Sequence, residues 1–129
     1  MEYLADTIVV IRHFSKSGSL SRNVRSVLNG VSKGTNRLLI SVISFVEILY
    51  LSEKNRININ FDELKNRIEP LDNYEIIDLS VDIIETAKKV QGLELHDRLI
   101  VATAKYFNIP ILTSDQEIRK YKGIESIWD

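Results

Sequence analysis

Apolar positions along this chain switch between two rhythms. Short continuous or β-branched runs, such as "EYLAD", "RLLISVI", "YEIIDL", "IPILTS" and "IESIW", alternate with stretches in which apolar residues return every three or four positions. The first rhythm predicts largely buried strands and the second predicts amphipathic helices. "EYLAD" reads as a strand ending on Asp6, and "TIVVIRHF" either continues it or opens a helix. "SKSGSLSRN" is Ser/Gly-rich and reads as a loop. In "LSRNVRSVLNGVSKG", Leu20, Val24, Leu28 and Val31 share one helical face, and Gly34 is the expected stop. "RLLISVI" predicts a buried strand, followed by helices in "SFVEILYLSEKN" and in "FDELKNRIEP", the latter stopped at Pro70. "YEIIDL" is a strand. "SVDIIETAKKVQG" opens on a Ser cap and is expected to close on Gly92. "HDRLIVATAKYFN" is a helix whose core side carries Leu99, Ile100, Ala104 and Phe107. A strand "IPILTS", a helix "DQEIRKYK" and a last strand "IESIW" complete the chain.

Strands that alternate with helices predict a three-layer α/β/α sandwich around a mostly parallel sheet. With 129 residues, a single domain spanning 1–129 is expected. Composition adds exclusions. No cysteine is present, so disulfides, thiolate ligands and a cysteine nucleophile are ruled out, and a reducing compartment is compatible. "MEYLAD" lacks the basic and apolar segments of a signal peptide. The most apolar segment, "LLISVISFVEILYL", is interrupted by Glu47 and falls short of the roughly 20 residues a bilayer requires. A cytoplasmic protein without a membrane anchor is therefore expected. The net charge of −1 carries no polyanion signature, but its distribution is uneven. From Thr7 to Val46 there is no acid, while Arg12, Lys16, Arg22, Arg25, Lys33 and Arg37 all fall there. Such a window marks either a nucleic-acid-facing side or a solvated surface balanced by acids elsewhere.

Ligands of open parallel sheets bind beyond the carboxyl ends of the strands. Four acids fall at those predicted places. Asp6 ends the first strand, Glu47 lies in the first turn of the helix after "LLISVI", Asp97 opens the "HDRLIVATA" helix, and Asp115 follows "PILTS". Each has a purely structural alternative, because Asp caps helices and acids favour the positive end of the helix dipole. Ser44 to Glu47 and Ser114 to Glu117 both spell a capping box. If the junctions converge, the carboxylates repel one another and raise each other's pKa, a cost that a hard Mg²⁺ or Mn²⁺ ion would remove. Strand order decides whether they meet.

"YLADTIVV", "SVISFVEILYL", "HDRLIVATAKYFNIPILTSD" and "YKGIESIW", in this order, resemble a PIN-domain nuclease of the VapC toxin type. The resemblance implies a doubly wound sheet, Mg²⁺- or Mn²⁺-dependent cleavage of RNA, homodimers and an antitoxin partner. It places the family's acids on Asp6, Glu47, Asp97 and Asp115, with Glu94 as an auxiliary candidate. Asp6, Asp97 and Asp115 are then expected to hold metal, and Glu47 to hold a water or act as general base. Thr113 and Ser114 either orient Asp115 or cap the following helix. Lys16, Arg22 and Arg25 are the expected phosphate contacts, with Arg12 behind them.

Other readings stand beside this one. His13 and His96 read as surface histidines, or as the acid–base pair of a metal-free ribonuclease. Arg98 reads as a solvated side chain or a phosphate contact. Tyr50 and Leu51 read as buried, or as part of a dimer interface. A receiver domain of phosphorelay signalling has the same size and fold class, but its paired early acids and late Lys-Pro are missing here. A catalytically silent PIN fold serving only as an interaction module is the last alternative.

Overall fold

A computed structural model describes residues 1–129 in full. Its elements, in chain order, are β1 (Glu2–Ala5), α1 (Thr7–Ser15), α2 (Arg22–Lys33), β2 (Arg37–Ser41), α3 (Val42–Glu53) and α4 (Phe61–Ile68). They continue with β3 (Tyr74–Ile77), α5 (Val81–Ala87), α6 (Leu95–Phe107), β4 (Ile111–Leu112), α7 (Gln116–Lys120) and β5 (Ser126–Ile127). The five strands form one sheet in the order β3-β2-β1-β4-β5, and every pairing is parallel. The sheet is thus wholly rather than mostly parallel, with helices on both faces.

The pleat explains the continuous apolar runs. Leu38 and Ile40 face one core with Ala5, Leu112 and α1, α2 and α4. Leu39, between them, faces the other core with Leu4, Ile111 and the helices α5 and α6. Burial on both faces removes the apolar/polar alternation that a half-exposed strand would show. The chain works outward from β1 to β3 in one direction and adds β4 and β5 on the other side. The switch point therefore lies between β1 and β4, where open α/β sheets leave a crevice at the carboxyl edge.

Several boundaries differ from the pattern-based expectation. "TIVVIRHF" is a helix because Asp6 caps it: the carboxylate accepts the Thr7 N–H at 2.8 Å. Val42 and Ile43, expected in the strand, already belong to α3, because the extended Ser41 caps that helix through Ile43 N at 3.0 Å. The Ser44–Glu47 capping box is therefore not formed. Helix α5 ends at Ala87 rather than near Gly92, as tight backbone bonds from Lys89 to Thr86 and from Val90 to Ala87 turn Val90 into the core. On α6, Ile100 and Ala104 are core, but Phe107 is 37% exposed. Tyr3 and Trp128, near the two chain ends, pack against the first core.

Helix α2 is joined to β2 by a tight approach at Gly30. The side-chain amide of Asn36 donates to Val27 O at 3.1 Å, and the Thr35 hydroxyl donates to Gly30 O at 3.0 Å. A Cβ on Gly30 would run into the Asn36 amide. Gly→Ala inside a helix normally stabilises by roughly 0.5–1 kcal/mol. Here the sign is expected to reverse: Gly30→Ala lowers the thermal midpoint, and Gly30→Ala with Asn36→Ala recovers part of the loss.

Candidate active site

At the β1/β4 switch point, two strand ends are tied together by one hydroxyl. Asp6, directly after β1, is buried with 8% exposure. Its Oδ1 serves the cap of α1, and its Oδ2 accepts the Thr113 hydroxyl at 2.7 Å, from 107 residues away. The same Thr113 oxygen accepts the Asp115 N–H at 2.9 Å. Asp115 in turn caps α7, its Oδ1 taking Glu117 N at 2.9 Å and Ile118 N at 3.0 Å. Thr113 thus orients the Asp6 carboxylate and the Asp115 backbone, rather than the Asp115 carboxylate as expected. Ser114 makes no cap, since Asp115 occupies that position, but it lines the same cleft.

The other two acids arrive from α6 and α3. Glu94, not Asp97, caps α6, accepting His96 N at 3.0 Å and Asp97 N at 3.4 Å. Asp97 therefore stands in the first turn, half-buried, with its carboxylate unused by the cap. Glu47 sits in the second turn of α3, because the helix starts earlier than expected. Its Oε1 accepts the Thr7 hydroxyl at 2.6 Å, and that hydroxyl lies 2.9 Å from the buried Ser44 Oγ. Thr7 is a residue that the pattern alone did not single out; its only local signal was its place directly after Asp6.

All four acids line one cleft of about 270 Å³, together with Thr7, Ser114 and the apolar Ile8, Ile11 and Leu51. A larger groove of about 310 Å³ between α3 and α4 is lined by apolar side chains and Lys65 and holds no acid. Of the two, only the smaller cleft is lined by acids, and it is the candidate site. Burial holds the Asp6 carboxyl above the usual carboxylate range; its bonds from Thr113 and Thr7 oppose this, while Glu47 and Asp115 add to it. Asp97 is pushed up to about 6, first by burial and then by the charges of Asp115, Asp6, Glu94 and Glu47. Repulsion among these carboxylates shows that they share one electrostatic environment.

The donors are all oxygens, with no histidine in the cleft, which suits a hard divalent cation. As the side chains stand, no three acids or histidines are close enough to grip one ion together. One oxygen each of Glu47 and Asp115, and both of Asp6, are engaged in the bonds above. Each still has a second lone pair, and Asp97 has no bond that offsets its repulsion. The set fits the ion by donor chemistry and by charge.

A family model for the PIN domain matches residues 3–124. The chain belongs to the PIN domain family. The match runs from β1 to the approach to β5 and so contains all four acids. Solved structures share the whole fold. VapBC2 from Rickettsia felis, solved bound to a DNA fragment from its promoter, aligns with a TM-score of 0.73 at 19% identity, covering 100% of both chains. DNA-bound VapBC from Salmonella typhimurium gives 0.67 at 18% identity, over 98% of this chain and 97% of that one. A toxin–antitoxin complex from Klebsiella pneumoniae gives 0.65 at 24% identity, over 95% and 94%. No curated protein matches by sequence.

Around the PIN cleft, the remaining candidates separate. Lys16, Arg22 and Arg25 are exposed, and none pairs with an acid. Arg12 donates to Ser19 O at 2.8 Å, and Arg37 pairs with Glu75 at 2.6 Å, so both are committed within the chain. Arg98 is neither solvated nor aimed at the cleft: it donates to Ala87 O at 3.1 Å, and its Nε is buried without a partner. His13 is half-buried, with Nε2 2.9 Å from the Tyr74 hydroxyl, so its surface reading is also corrected. Tyr50 is 52% exposed rather than buried, whereas Leu51 packs against the core. No helix is long and apolar enough to cross a membrane.

Proposed function

We propose that this PIN domain is a divalent-metal-dependent endoribonuclease and the toxin of a toxin–antitoxin pair. The observation that carries the catalytic reading is the convergence of Asp6, Glu47, Asp97 and Asp115 on one cleft, with Asp97 pushed up to about 6. Asp6, Asp97 and Asp115 would hold the ion, Mg²⁺ or Mn²⁺. Once bound, the ion offsets the carboxylate charges and that of the scissile phosphate, and it acidifies water. Glu47, which lines the same cleft, would hold the attacking water or take its proton. Thr113 keeps one Asp6 oxygen turned inward, and Ser114 lines the wall. The toxin reading and the antitoxin partner rest on the fold shared with VapBC and other toxin–antitoxin complexes. A homodimer is part of the same reading; the exposed Val46, Leu49 and Tyr50 of α3 offer it an apolar surface.

Product ends test the chemistry. Water attack in such a cleft leaves a 5′-phosphate and a 3′-hydroxyl, and EDTA stops it. A two-histidine ribonuclease passes through a 2′,3′-cyclic phosphate and ignores EDTA. Neither His13 nor His96 lines the acid cleft, and His13 is turned to Tyr74. Cyclic ends formed at full rate in EDTA would defeat the proposal.

RNA flanking the scissile bond needs cations beyond the acids. Lys16, Arg22 and Arg25 are free to supply them. Each phosphate contact on a single strand contributes a slope of about −0.7 to log K against log[salt]. Arg22→Gln with Arg25→Gln is expected to flatten that slope by roughly one to two units, equally across RNA sequences, because phosphate contacts position rather than specify. Filter binding across a salt series reads this directly, and an unchanged slope returns both arginines to a solvated face.

A further inference from the structure

Thr7 touches two of the four acids at once, and it does so with different groups. Its backbone N–H donates to Asp6 Oδ1 at 2.8 Å, while its side-chain oxygen lies 2.6 Å from Glu47 Oε1 and 2.9 Å from Ser44 Oγ. The residue is 5% exposed and Ser44 is fully buried, so the Thr7–Ser44 contact is shielded from bulk water, while Glu47 reaches from it into the cleft. One hydroxyl carries one hydrogen. The shorter contact, to a charged acceptor, claims it, because charge-assisted O–H···O⁻ bonds are the stronger ones. Ser44 must then donate to the lone pair left on Thr7. The result is a directional chain, Ser44 to Thr7 to Glu47, which joins the start of α1 to one face of α3.

We propose that Thr7 is the positioning residue for Glu47. This inference rests on the nuclease reading above. Glu47 reaches the cleft from the second turn of α3 on a side chain with three rotatable bonds. Nothing else in the chain donates to its carboxylate, so the Thr7 hydroxyl alone selects its rotamer. The bond also holds Oε1 towards α1 and leaves Oε2 for the cleft. Glu47 and Asp6 are thereby registered to each other through a single residue, although they lie on different elements.

Thr7→Val tests this, because it keeps the backbone bond to Asp6 and the branched shape while deleting the hydroxyl. Loss of a hydrogen-bond partner behind a catalytic carboxylate costs about 10- to 100-fold. We expect that loss in kcat, with KM unchanged, and Thr7→Ser to restore most of it. A readout independent of catalysis runs beside it. In EDTA, the shifts in thermal midpoint of Thr7→Val and Glu47→Ala, each of which removes one partner of the bond, should be non-additive in the double variant. Non-additive shifts with a kcat loss rescued by Thr7→Ser establish the positioning role. Additive shifts would overturn it, and so would coupling without any loss of kcat. A wild-type chain that shows no metal-dependent cleavage would remove the nuclease reading itself, whereas a cleaving wild type with an equally active Thr7→Val removes only the inference about Thr7.

Discussion

Asp97→Asn should abolish RNA cleavage while leaving the protein as stable as the wild type, or more so, in the absence of metal. The two halves of this expectation have separate causes. Removing a hydrogen-bond partner behind a metal ligand costs 10- to 100-fold, so removing the ligand's charge should cost more than about a hundred-fold. Stability goes the other way. The Asp97 carboxylate sits in the first turn of α6, where the helix dipole favours an anion by about 0.3–1 kcal/mol. Yet its pKa is raised to about 6, so burial and the neighbouring acids outweigh the dipole. Neutralising it therefore relieves more than it loses. Asp115→Asn is a second clean test, because only Oδ1 caps α7 and an Asn oxygen caps equally well. Asp6→Asn is not clean. Asp6 accepts Thr7 N on one oxygen and the Thr113 hydroxyl on the other, and Asn has one acceptor for two donors. That variant should lose about 1–3 kcal/mol as well as activity. Steady-state cleavage and thermal unfolding of the three variants separate ligand from cap. Full activity in Asp97→Asn and Asp115→Asn would remove the metal-centre reading.

The alternation of apolar runs with helical periods was enough to read the layers, and the four acids could be placed at junctions from the sequence. Their convergence could not be read locally. It follows from β4 pairing with β1, recorded in the registers Leu4 to Ile111 and Ala5 to Leu112, across more than a hundred residues. Glu47 shows how local and global signals compete. Ser44-Phe45-Val46-Glu47 has the letters of a capping box, but Ser41 reaches the start of the helix first, so Ser44 turns inward to Thr7 instead. The β-branched Val42 and Ile43 suggest strand by intrinsic preference, but the Ser41 cap places them in α3. Thr113 followed the same logic. Its hydroxyl is two residues from Asp115 in sequence, but its proton goes to Asp6, which only the strand order brings near. Arg98 and His13 were misread because each has a tertiary partner, Ala87 O and Tyr74 respectively.

A divalent ion should raise the thermal midpoint strongly at pH 7.5 and hardly at all at pH 4.5. The Asp97 carboxyl has a folded-state pKa of about 6 against 3.8 for the free side chain. Between those values the folded chain keeps a proton that the unfolded chain has lost. Raising the pH through this window therefore removes stability from the metal-free protein, and above about 6 the penalty is complete. Asp6, raised by its burial, acts in the same direction. On the proposed reading, Mg²⁺ or Mn²⁺ is expected to reverse the penalty, because it would bind the ionised cleft and not the protonated one. At a hundred-fold excess over Kd, binding adds about 2.7 kcal/mol, which for a chain of this size is roughly 10 °C. At pH 4.5 protons hold Asp97 neutral, and the ion has to displace them. Asp97→Asn should flatten the pH dependence of the metal-free protein and lose most of the metal-induced rise at pH 7.5. Differential scanning fluorimetry at the two pH values, with EDTA or with excess ion, gives all these numbers. A rise of equal size at both pH values, retained in Asp97→Asn, would place the ion elsewhere on the surface and leave the four carboxylates with structural roles only.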